Sequence, residues 1–74
     1  MTRLPVLTSA RLVKILIKIG FKERHRKGSH IFFEHADGRT TTVPFHKGED
    51  LGRGLLRKIL RDIELEPEEL RKWL

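Results

Sequence analysis

Apolar residues early in the chain recur at Leu12, Val13 and Leu16, with Ile15 and Ile19 beside them. At about 100° per residue they fill one broad stripe. Arg11, Lys14 and Lys18 gather on the other side, which reads as a solvated face. Thr8 and Ser9 suit an N-cap, and Gly20 suits a stop. This pattern predicts an amphipathic helix from Ala10 to Ile19.

Beyond Gly20 the helical period is lost. Phe21 to Lys27 is polar and extended, and Gly28 permits a reversal. Ser29 to His35 holds Ile31, Phe32 and Phe33, all favourable in strands. Ala36-Asp37-Gly38-Arg39 is a stronger hairpin turn, because Asp-Gly tolerates positive φ. Thr40 to Val43 is β-branched throughout and makes a third strand, limited by Pro44, which cannot donate to a ladder. Phe45 to Gly54 reads as a loop. A second helix starts near Arg53 or Gly54, with Leu55, Leu56, Ile59, Leu60 and Ile63 as its apolar stripe and Arg53, Arg57 and Arg61 on another face. Pro67 fits the first turn of a short third helix, with Glu68 and Glu69 near its positive end and Leu70, Trp73 and Leu74 to bury. Trp73 is expected to be a packing residue. The order α-β-β-β-α-α predicts an α/β domain of α+β type: a three-stranded antiparallel meander with helices on one face.

Length limits what such a domain can hold. Seventy-four residues make one domain, residues 1–74, with a small core. That leaves room for a shallow site but not for a deep cofactor pocket, and no cofactor is expected. Cysteine is absent, so there is neither a disulfide framework nor a thiolate metal site. No apolar run is long enough to span a membrane, and a cytoplasmic location is expected. Sixteen cations against ten acids give a formal charge of +6, which favours a polyanionic partner.

Gly28-Ser29-His30 carries the chemistry most plainly. Strand alternation sets Ser29, Ile31, Phe33 and His35 on one face and His30, Phe32 and Glu34 on the other. With Ile31 and Phe33 in the core, His30 points to the open face. Histidine titrates near neutrality, and a neutral imidazole there can take the proton of an RNA 2′-hydroxyl. On spacing alone, an ordinary exposed strand histidine is the simpler account. Lys27 and Lys47 flank His30 and His46 and can bind phosphate. Arg24 and Arg26 belong to the same basic strand and suit the RNA backbone. Phe32 either stacks on a base or joins the core. His25, His30, His35 and His46 lack the spacing of a metal site, and none is expected.

The element order resembles the double-stranded-RNA-binding fold. Gly20-Phe21, Gly28-Ser29-His30, Val43-Pro44-Phe45-His46, and Gly54 followed by Leu56, Arg57, Ile59 and Leu60 together resemble the HicA family, the small toxins of HicA–HicB toxin–antitoxin pairs. The resemblance runs from about Thr8 to Leu70. It implies an mRNA interferase, a metal-independent endoribonuclease held inactive by a HicB-type antitoxin, with mRNA as substrate and a toxin that is monomeric when free. It makes His30 the catalytic histidine and so reverses the preference drawn from spacing. His46 matches a Pro-x-His pattern, as a proton donor to the leaving oxygen or as a residue that holds the loop. Ser29 enters as part of the motif. The first strand departs from the family, whose members often carry apolar or amide residues where this chain has Arg24 and Arg26. The rival readings are a non-catalytic RNA-binding module of the same fold and a protein-interaction domain that meets an acidic partner.

Overall fold

The computed structural model describes residues 4–74. Along the chain run α1 (Ser9–Lys18), β1 (Phe21–Lys27), β2 (His30–His35), β3 (Thr40–Pro44), α2 (Arg53–Asp62) and α3 (Pro67–Arg71). The expected α-β-β-β-α-α order is the observed one, with a single antiparallel sheet in the order β1-β2-β3. Helix α1 packs against β1 and β3, and α2 packs against β3. Among the described residues, no helix is long and apolar enough to cross a membrane.

Each element boundary has a local cause. The Thr8 side chain accepts the Arg11 N–H at 3.2 Å and caps α1. That places Ser9 inside the helix and frees its hydroxyl for another partner. Gly20, at φ 106°, takes the chain out of α1 and into β1. The β1–β2 turn is two residues long, because Lys27 and His30 are paired directly across it. Gly28 has φ 59° while Ser29 stays at negative φ, which is the pattern of a turn with glycine first. Ser29 therefore lies in the turn rather than on the strand where alternation put it. In the β2–β3 turn, Asp37 accepts the Arg39 N–H at 3.1 Å.

One layer of core lies between sheet and helices. Phe21, Ile31, Phe33 and Val43 come from the sheet, Leu12, Ile15, Leu16, Leu56, Ile59 and Leu60 from the helices, and Ile63 from the C-cap of α2, all buried. Thr41 is buried among them with its hydroxyl satisfied by the Asp62 carboxylate at 3.0 Å. Leu4, Leu7 and Leu51 also join the core. They bring the segment before α1 against the loop after β3, where the Leu51 N–H donates to the Leu7 carbonyl at 2.7 Å.

The C-terminal turn departs from expectation. Leu70 is buried, but Trp73 is 40% exposed and Leu74 is 43% exposed. Trp73 is thus not a core residue. It lines an open groove of about 360 Å³ together with Arg11, Lys14 and Lys18 of α1. Helix α3 is only five residues long, so its buried stripe is complete with Leu70 and the residues after it lie beyond the core's edge.

Candidate nucleic-acid interface

The sheet's second face is left uncovered by the helices. On β2, the central strand, Ile31 and Phe33 are buried, His30 is exposed, and Phe32 and Glu34 are half-buried. The alternation predicted for these residues is the one observed. Central placement matters for His30. Its strand is hydrogen-bonded on both sides, so the backbone beneath the imidazole is fixed while the ring faces solvent.

The first strand does not alternate simply. Phe21 pairs with His35, Lys22 with Glu34 and Glu23 with Phe33, but the next pair is His25 with Phe32. Arg24 is the extra residue of a β-bulge. A bulge re-aims the side chains that follow it. Without it, His25 and Lys27 would share the helix-covered side with Phe21. With it, they join the open face beside Phe32 and His30. Arg26 is turned the other way, opposite buried Ile31.

Three rows of side chains therefore cross the open face. The first is Lys27, His30 and Pro44, the second is His25, Phe32 and Thr42, and the third runs from Lys22 through Glu34 to Thr40. Direct cross-strand neighbours have Cβ atoms about 4.5–5.5 Å apart, which puts the Lys27 ammonium within reach of anything bound at His30. In the second row the His25 and Phe32 rings stack, with centroids 5.0 Å apart and planes 15° apart. In the third, Arg24 Nε donates to Glu34 Oε1 at 3.0 Å. Arg24 is thus on the open face but partly neutralised. Arg26 does not share that face: its guanidinium lies 5.8 Å from the Phe45 ring centroid and donates to Glu23 at 3.1 Å.

His46 lies in a loop tied down at three points. The Phe45 N–H donates to the Ser29 carbonyl at 2.6 Å, which extends the β2–β3 ladder into the Gly28-Ser29 turn. Ser9 Oγ accepts the His46 N–H and donates to the His46 carbonyl, each at 3.2 Å. Thr8 forms an isolated bridge with Asp50. The loop is thus held by the backbone of His46. Its imidazole is exposed and makes no hydrogen bond among the described residues. Lys47 follows it, also exposed. The ladder brings His46 to the end of the sheet where His30 starts its strand, so the turn with Ser29 and the loop with His46 form one edge.

Of the remaining histidines, His35 is structural. Its ring packs edge-on against Phe21 at 5.0 Å, and its Nδ1 accepts the Asp37 N–H at 3.1 Å. Among the described residues, no three His, Asp or Glu side chains converge as a metal-ligand set. Two residues of this region escaped the sequence. Ser9 read as a cap and is instead the anchor of the His46 loop. His25 read as part of a polar run and is placed on the open face by a bulge that leaves no clear mark in the residue pattern.

Fold and site define a class: a small basic α+β domain that presents an exposed histidine on the uncovered face of a three-stranded sheet. The family model described as the HicA toxin of bacterial toxin–antitoxin matches residues 9–65 of the 74-residue chain, and the chain belongs to that family. No individual curated protein matches it.

Proposed function

We propose that this toxin is an endoribonuclease that cleaves single-stranded mRNA through His30, and so stops translation. The observation that carries the reading is an exposed imidazole on the central strand, with Lys27 as its direct cross-strand neighbour. In the proposed step, neutral His30 takes the proton of a 2′-hydroxyl. The 2′-oxygen forms a bond to the adjacent phosphorus, and the bond from phosphorus to the 5′-oxygen breaks. The leaving oxygen takes a proton from His46 or from water. A base of this kind contributes about 10² to 10⁴ in rate. Lys27 neutralises charge that builds on the phosphoryl oxygens.

The role of His46 as the acid is favoured by one feature. The backbone, not the ring, holds its loop, so the imidazole is available for chemistry. Lys47 and Lys22 extend the cationic rim for the RNA backbone. Ser29 contributes its carbonyl to the Phe45 bond, so its part is to fix the edge on which His30 sits. The natural state is a complex with a HicB-type antitoxin that covers the basic open face, and the working compartment is the cytoplasm, where mRNA is found.

The test is cleavage of single-stranded RNA by the purified chain in EDTA, beside the same RNA with a 2′-deoxy substitution at each cut site. Cleavage in EDTA that fails only at the deoxy positions supports the reading. Cleavage that requires magnesium, or that proceeds at normal rate on the deoxy substrate, overturns it.

A further inference from the structure

The bulge at Arg24 brings Lys27 onto the open face opposite His30, and it also brings His25 there, stacked on Phe32. We infer that His25 and Phe32 form a base-stacking subsite for the nucleotide at the cleaved bond, an inference that rests on the reading of the protein as an RNA-cleaving toxin. His30 and Phe32 are two residues apart on β2, so their rows are separated by roughly 6.7 Å. That is a span one nucleotide covers between its sugar and its base. With a 2′-hydroxyl over His30, the base of that nucleotide lies over the His25–Phe32 row.

The chemistry of the row matches a nucleobase. The two rings are stacked on each other, so a base extends that stack on an outer ring face, and stacking accepts any base because every base has a π-face. Thr42, the partner of Phe32 on β3, is exposed and holds a hydroxyl at the far end of the row. Lys27 stands in the next row, where a phosphate would lie. Cations beside aromatics favour an RNA strand over an acidic protein, whose carboxylates would be served by the cations alone. The subsite also separates two tasks on one sheet. The Lys27–His30 row acts on the phosphodiester, and the His25–Phe32 row holds the base so that the diester is presented in register.

The experiment uses a single-stranded 2′-O-methyl oligoribonucleotide with one 2-aminopurine, which 2′-hydroxyl attack cannot cut. Affinity is read by anisotropy and stacking by quenching of the 2-aminopurine, at several salt concentrations. His25→Ala is expected to weaken binding by about 5- to 100-fold and to remove most of the quenching. The salt slope should stay unchanged, because no phosphate contact is lost. His25→Phe, which keeps a ring, should retain both signals. Phe32→Leu is the second variant and should lose quenching like His25→Ala, so the test survives if one variant does not fold. Unchanged affinity and quenching in folded His25→Ala overturn the inference, as does a loss in His25→Phe equal to that in His25→Ala. If the wild-type chain cleaves RNA and His25→Ala binds the probe normally, the subsite fails and the nuclease reading stands. If the wild-type chain neither binds the probe nor cleaves RNA, both fail.

Discussion

Removal of one buried hydroxyl should loosen the loop that carries His46. Ser9 is 1% exposed, and its Oγ both accepts from and donates to the His46 backbone at 3.2 Å. Ser9→Ala deletes both bonds and leaves almost no cavity. Each bond contributes about 1 kcal/mol net. Alanine returns up to roughly 0.5 kcal/mol through helix propensity. The expected loss is therefore about 1.5 kcal/mol. For a domain of this size each kcal/mol lowers Tm by about 4–8 °C, so the variant should melt about 6–12 °C earlier. Helix α1 should persist, because Thr8 and not Ser9 caps it. The assay is thermal unfolding followed by far-UV circular dichroism, together with the amide resonance of His46 in a nitrogen–proton correlation spectrum. A Tm within about 2 °C of wild type, with the His46 amide unmoved, would refute the assignment of Ser9 as the anchor.

Two further substitutions test the frame. Gly20 has φ 106°, and an added Cβ would lie 2.8 Å from the His35 ring nitrogen Nε2. Gly20→Ala should therefore cost at least about 2 kcal/mol, seen as a Tm lowered by roughly 8 °C or more; a neutral result would contradict both the backbone strain at this φ and the close approach to His35. The Asp37 carboxyl is held below the ordinary carboxylate value, first by the Arg39 side-chain hydrogen bond and next by the Arg39 backbone N–H. A lowered folded value means the contribution is complete above the ordinary carboxylate range and is lost as pH falls through the folded value. Asp37→Asn should accordingly flatten the acid limb of stability, measured by melts from about pH 2 to 6, and leave its relative change above that range constant; an acid limb parallel to wild type would sink the assignment.

Most of the fold was readable in the residues because it rests on local signals. The α1 stripe, the Asp37-Gly38 turn, the β-branched Thr40–Val43 run and Pro67 each fix an element without help from distant chain. The open face of β2 followed from alternation around Ile31 and Phe33. What escaped depended on contacts between distant segments. Leu4 and Leu7 gave no periodic signal, yet they anchor the 45–52 loop through Leu51 and Thr8. Trp73 looked like a core residue by type, but its position is set by where α3 ends against the core. The bulge is the largest omission. One unpaired residue, Arg24, exchanges the faces of everything after it, so that His25 and Lys27 reach the site and Arg26 is turned toward Phe45. Six of the seven β1 residues are exposed, so burial could not have fixed that strand's register from the sequence.

The central claim is that His30 is the base, and the most direct measurement is single-turnover cleavage of RNA by His30→Ala beside wild type. Substitution at this exposed position should change stability by no more than about 0.5 kcal/mol, so matched melting curves establish that the variant is folded. The account predicts a cleavage rate lower by about 10² or more, with RNA affinity largely kept because Lys27 and the His25–Phe32 pair remain. Folded His30→Ala that cleaves at the wild-type rate would contradict it.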